Sequence, residues 1–357
     1  MQNILSQNKQ RNFALDILRV LACFLVIWQH AGEFYYIGTN IAVVREASTY
    51  QIGWLSSADR TCIALFVMIS GYFLLPMKLN IRVFFKKRFT RILFPFIFWC
   101  ITYAFYYVLY RGDSIQTCLL NIARIPVNWG VEVGHLWYVY MLIGLYLLIP
   151  VISPFLERSS KRTIQAYLAI WAATTLLPYA HLIFPSWLGE CGWNPTPLYY
   201  YFNGFAGYLV LGYYAKRYGV LHARIATVIL LTGYIVTVLG YNALIPTATD
   251  CNELEIPWGF CTLNVAMMSY GIFSLISSIR LKGTSRFGRL ITDFSIISYG
   301  IYLSHIMVLN FYHDLLTAAL GTVLLQIPVI TVCTFITTYF IIKLLSFLPK
   351  SHFWIGA

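Results

Sequence analysis

The chain has 357 residues, of which 59% are apolar and 11% charged, and its mean hydropathy is +0.69. A soluble domain of this length cannot hide so much apolar surface, so the solvent for most of the chain is lipid. The formal charge of +12 does not describe a nucleic-acid surface, because the positive residues sit in short loops between apolar runs and not on one basic face.

A spanning helix needs about 20 mostly apolar residues. The sequence predicts about ten, near 13–36, 53–75, 91–110, 135–154, 163–183, 199–216, 224–242, 257–280, 290–313 and 317–347. The expected class is all-α, a polytopic membrane helix bundle. Lys9 and Arg11 precede a first run that is too long for a signal-peptide core and lacks a small-residue cleavage site, so it reads as a retained helix. The last stretch exceeds one crossing, and a short re-entrant or interfacial piece is expected before Pro328. One set of alternate loops holds Lys9 and Arg11, Lys78 to Arg91, Arg158 to Arg162, Lys216 to Arg224, Arg280 to Arg289, and Lys343 and Lys350. The other set holds only Arg45, Arg111 and Arg124. This bias predicts that the first set and both termini are cytoplasmic, in a cell (inner or plasma) membrane. Residues 1–12 are then a cytoplasmic segment, 13–347 the membrane domain and 348–357 a cytoplasmic tail. The eight cysteines show no CxxC or Cys/His metal spacing, so no metal centre is expected. Cys191 and Cys251 fall in outer loops, where a disulfide is permitted.

The first helix reads NFALDILRVLACFLVIWQHAGEFYY and carries Arg19 and His30 eleven positions apart. At about 100° and 1.5 Å per residue they lie within about 20° of one face and about 16 Å apart along the axis. Asp16, one turn before Arg19, lowers the cost of burying the guanidinium, and Glu33, one turn beyond His30, is placed to orient its ring. The competing reading of His30 is an interfacial belt with Trp28, Tyr35 and Tyr36. On the second helix, Asp59 and Arg60 enter near the level of His30; as helix neighbours they need not pair. Ser70-Gly71 offers close helix packing or passage for a narrow ligand. Arg88 and Arg91, three apart at the cytoplasmic mouth of the third helix, point one way and suit phosphates, although topology flanking also explains them. His135 in HLWY and His305 in ISYGIYLSH join the outer level. Polar groups within spans face a shared interior, so three histidines and an arginine at one depth read as a site.

Together these segments resemble the acyltransferase 3 family of multi-spanning membrane acyltransferases. The resemblance rests on Arg19, ten residues, then His30; on Arg60 before Phe66 to Tyr72; on Arg88 and Arg91; on His135 to Tyr138; and on Ser298 to His305. Val67, Met68 and Ile69 depart from the family's FFxxSGY-like stretch but keep its size and polarity. The resemblance implies that 13–347 is an acyltransferase 3-like transmembrane domain. It implies a cytoplasmic acyl-CoA co-substrate, acetyl-CoA by default and succinyl-CoA as the nearest rival, with no bound cofactor. The implied acceptor is a hydroxyl of a cell-surface sugar, polysaccharide or lipid-linked glycan. His30 takes the role of catalytic base, and Arg19, Arg88 and Arg91 roles in donor binding or in shaping the site.

An imidazole with a pKa of about 6.5 suits removal of a hydroxyl proton at neutral pH. Glu33 or Asp59 would orient it and Arg60 would steady the oxyanion. Asp16, Ser70, His135, Tyr138 and His305 complete the expected substrate-binding set. Direct transfer and an acyl-histidine intermediate both remain open. A transporter or flippase of a lipid-linked sugar or small solute is the alternative, since buried charges would also line a pathway. The aromatic stretch 196–205 would suit stacking on sugar rings, and nothing specifies an oligomeric state.

Overall fold

The computed structural model describes residues 12–128, 130, 133–184, 204–279 and 283–356. Among these the only β-structure is an isolated bridge between Ile37 and Val43, and the chain is an all-helical bundle. Its α-helices are α1 (Phe13–Tyr36), α2 (Ala47–Leu55), α3 (Cys62–Leu74), α4 (Ile81–Tyr110), α5 (Ile115–Arg124), α6 (Trp137–Arg158), α7 (Lys161–Thr174) and α8 (Leu177–Ile183). They continue with α9 (Ala206–Tyr218), α10 (Ala223–Leu244), α11 (Cys251–Leu254), α12 (Leu263–Ser277), α13 (Arg286–Leu320), α14 (Val323–Leu345) and α15 (Ser351–Trp354). Eight helical segments, or nine if bent α2 and α3 form one span, are long and apolar enough to cross a bilayer among the described residues. The protein is thus a multi-pass membrane protein. The expected span 199–216 accounts for the difference from ten: its start lies outside the described residues, and α9 has only 13 residues.

Four departures from the expected elements have local causes. Span 53–75 is not continuous; α2 and α3 meet at a 47° bend, where Ser57 turns its hydroxyl back onto the carbonyl of Gly53 at 2.6 Å. The third helix starts at Ile81, because Asn80 caps it by accepting from the amide of Arg82 at 2.9 Å, and the whole basic run therefore lies on α4. No re-entrant piece precedes Pro328. Instead α13 runs on to Leu320, Gly321 turns the chain with φ 64°, and α14 carries Pro328 inside it. Residues 348–356, read as a tail, return to the bundle: Ile355 is buried, and its carbonyl accepts from the indole of Trp99 at 3.3 Å.

Two contacts set the frame of the site. Helices α1 and α13 run parallel, since Arg19 bonds Ser295 at 3.0 Å, Cys23 reaches the carbonyl of Ser298 at 3.6 Å, and His30 meets His305 further on. Helices α3 and α9 cross backbone to backbone. A Cβ on Gly71 would lie 2.0 Å from the carbonyl oxygen of Leu209, and one on Gly212 would lie 2.0 Å from that of Met68. Only glycine permits this approach.

Candidate active site

At one end of the α1–α13 pair, a cavity of about 160 Å³ is lined by Arg19, Ser70, Arg88, Arg91, Tyr138 and Tyr302, among others. Three guanidiniums thus come together from α1 and α4, and no acidic side chain lines the space. Asp16 sits behind it. Its Oδ1 accepts from the hydroxyl of Ser295 at 2.7 Å, that hydroxyl accepts from Arg19 Nη1 at 3.0 Å, and the direct Asp16–Arg19 separation is 3.8 Å. Ser295 therefore fixes Arg19 beside the cavity. Nε of Arg88 is buried without a hydrogen-bond partner. An orphaned cationic donor facing an acid-free cavity suits an oxygen of a phosphate or similar anion. Ser70 lines the cavity with its hydroxyl bonded to the carbonyl of Phe66 at 3.0 Å, while neighbouring Gly71 provides the contact with α9. The close-packing reading of the pair is met at Gly71, while Ser70 lines the cavity.

Further along the same two helices lie His30 and His305, joined by His135 from the 3₁₀ turn Gly134–Leu136 that opens α6. Their ring centroids are 5.5 Å (His30–His305), 6.0 Å (His30–His135) and 4.8 Å (His135–His305) apart. His30 Nδ1 is 2.7 Å from Glu33 Oε2. A carboxylate only accepts, so this nitrogen carries the hydrogen and Nε2 is the ring nitrogen left to face other groups. His305 Nδ1 faces the carbonyl of Tyr302 at 2.7 Å, which fixes its tautomer in the same way, and its buried Nε2 has no partner. Tyr302 joins the two levels: it lines the cavity, its ring stands 5.4 Å from that of Tyr138, and its hydroxyl donates to the carbonyl of His135.

The profile of a family described as an acyltransferase domain matches residues 12–343, nearly the whole chain. The chain belongs to the acyltransferase 3 family. No curated protein and no solved structure matches it in the corresponding comparisons. Membership favours the enzyme reading of the buried charges: the chain is a membrane acyltransferase.

The acyltransferase brings most of its expected site residues to these two levels, but not Asp59 and Arg60. Both are buried at the bend between α2 and α3, where a 3₁₀ turn replaces the continuous helix. That turn lets sequence neighbours pair after all, with Arg60 Nε 3.3 Å from Asp59 Oδ1. Arg60 is also 3.9 Å from Glu255, bonds the hydroxyl of Tyr36 at 3.2 Å and lies 4.0 Å over the ring of Trp258. Tyr36 in turn donates to Glu255. These partners hold the guanidinium in the bend, where its charge is also felt by Glu33 beside His30. Ser295, Tyr302, Tyr36 and Glu255 were not singled out from sequence. Cys251 is buried, its thiol donates to the carbonyl of Ala42 at 3.5 Å, and burial pushes its pKa up to about 11. Cys191 and most of the aromatic stretch 196–205 lie outside the described residues.

Proposed function

We propose that this membrane acyltransferase moves an acyl group, most simply acetyl, from cytoplasmic acyl-CoA to a hydroxyl of a cell-surface sugar, polysaccharide or lipid-linked glycan. One observation carries the reading: the parallel helices α1 and α13 border a cationic cavity at one level and, further along, a cluster of three imidazoles, with Tyr302 lining the cavity and bonded to His135. Arg19, Arg88 and Arg91 suit the phosphates of CoA, and the Lys and Arg bias of the loops favours a cytoplasmic mouth for that cavity. The span of about 16 Å from Arg19 to His30 matches the reach of an extended pantetheine arm.

In this reading His30 Nε2 takes the proton of the acceptor hydroxyl while Glu33 holds Nδ1–H and stabilises the imidazolium that forms. The oxygen attacks the thioester carbonyl, the tetrahedral intermediate collapses with cleavage of the C–S bond, and the departing thiolate receives the proton from His30. His135 and His305 shape the pocket around that ring. The test is incorporation of label from radiolabelled acetyl-CoA into envelope glycan by membranes carrying wild type or His30→Ala at matched expression. The variant is expected to lose activity by about 10²–10⁴-fold while still binding donor. Equal incorporation by both would overturn the reading.

A further inference from the structure

A second concavity lies beside the donor cavity and shares two of its residues. It is a groove of about 630 Å³ between α4, α13 and α15, and Arg91 and Ile296 belong to both spaces. Residues Val83, Lys86, Lys87, Thr90 and Arg91 reach it from α4 at spacings of three and four, so they form one face of that helix. His352 and Phe353 of α15 close the other side. The groove therefore exists because residues 348–356 fold back onto the bundle.

Its chemistry is divided. The wall is apolar, formed by Val83, Ile296 and Phe353, while Lys86, Lys87, Arg91 and His352 stand around it. No carboxylate pairs with Lys86, Lys87 or His352 among the described residues. The apolar wall does not stop at the groove. Phe94 meets Phe353 at 6.3 Å, and Phe94 and Ile97 remain 56% and 41% exposed further along α4, toward the part of the helix that lies in hydrocarbon. A ligand that matches this pattern has a negative head and an apolar chain continuous with the bilayer. A nucleotide matches it poorly, because its base and sugar would meet an apolar wall with few polar partners.

We propose that this groove is a binding site for an anionic phospholipid, with its phosphate at Lys86 and Lys87 and one acyl chain along Val83, Phe353 and Phe94. Because Arg91 faces both spaces, a seated lipid fixes one wall of the adjoining donor cavity.

The purified full-length protein is exchanged into phosphatidylcholine nanodiscs or detergent and titrated with phosphatidylglycerol or phosphatidylcholine of equal chain length, with bound lipid counted by native mass spectrometry. Wild type is expected to prefer phosphatidylglycerol by about ten-fold, and Lys86→Gln/Lys87→Gln to fall to within about two-fold of no preference, with Lys161→Gln as the control. A third arm adds acetyl-CoA. Retention of bound phosphatidylglycerol supports the lipid site, whereas its stoichiometric displacement makes the groove the nucleotide seat of the donor and overturns the proposal. Equal binding of both lipids by wild type overturns it as well. The readout is binding alone, so it stands or falls separately from the acyl-transfer reading.

Discussion

Tyr302 donates its hydroxyl hydrogen to the main-chain carbonyl of His135, tying the middle of α13 to the turn that opens α6. His135 also faces the carbonyl of Leu303 at 3.4 Å and packs on the ring of His305 at 4.8 Å, so the bond is one of several ties between His135 and α13. Loss of the hydroxyl in Tyr302→Phe removes about 1 kcal/mol of net bonding. It also frees His135 to shift relative to His30. The expected result is about a ten-fold fall in kcat, an unchanged KM for donor and a Tm lowered by a few degrees, measured by acetyl transfer and thermal unfolding in detergent.

Ser295 mediates between Asp16 and Arg19, so its effect is predicted on binding and not on chemistry. Ser295→Ala lets Arg19 close directly on Asp16, from 3.8 Å now, and withdraws a cation from the cavity. KM for acyl-CoA should rise about ten-fold while kcat stays within about two-fold. Steady-state kinetics with varied donor decides, and a fall in kcat at constant KM would count against the assignment.

Arg60 gives the opposite pattern. Arg60→Ala leaves Asp59 and Glu255 without their cation, a loss of about 3–5 kcal/mol for a buried pair. The yield of folded protein should collapse, yet the surviving folded fraction should turn over at the wild-type rate per molecule. A stable but inactive Arg60→Ala would return this residue to the reaction.

Gly71→Ala should be as damaging as Arg60→Ala, although it adds one methyl group. The new Cβ would meet the Leu209 carbonyl at 2.0 Å, which forces α3 away from α9. Overpacking of this kind costs about 3 kcal/mol. Since α3 also carries Ser70 on the cavity wall, donor affinity should fall together with thermal stability. Size-exclusion chromatography after heating and donor binding at low temperature measure the two effects separately.

The frame of this site was readable from the sequence wherever a residue was expensive for its surroundings. Arg19 and His30 stand out because a charge and an imidazole inside an apolar run are rare, and helical periodicity then fixes their common face. Arg88 and Arg91 stand out by their spacing. Ser295 was not readable, because a serine in a membrane helix is cheap and usually bonds its own backbone, as Ser304 does to Gly300 at 2.9 Å. Glu255 sits in the connection between α10 and α12 and gave no hint that this connection folds onto Arg60. The start of α4 was hidden for a different reason: lysine and arginine lower hydropathy but are good helix formers, so a window tuned to lipid missed nearly three turns of real helix. The bend at residues 56–58 was lost in the averaging of such a window over two apolar segments.

The histidines sit at unequal heights on the two helices that carry them. From His30, α1 has six residues left, about 9 Å, whereas from His305 α13 has fifteen left, about 22 Å. At the top of that taller flank, Tyr110 of α4 bonds Asp314 at 2.9 Å, so two helices stand there as one parapet. The α1 side, by contrast, ends at Tyr36, which is buried against Trp258 and Glu255. The two walls of the imidazole cluster thus differ in kind, one a tall helix pair and the other a short helix end sealed by residues 251–258.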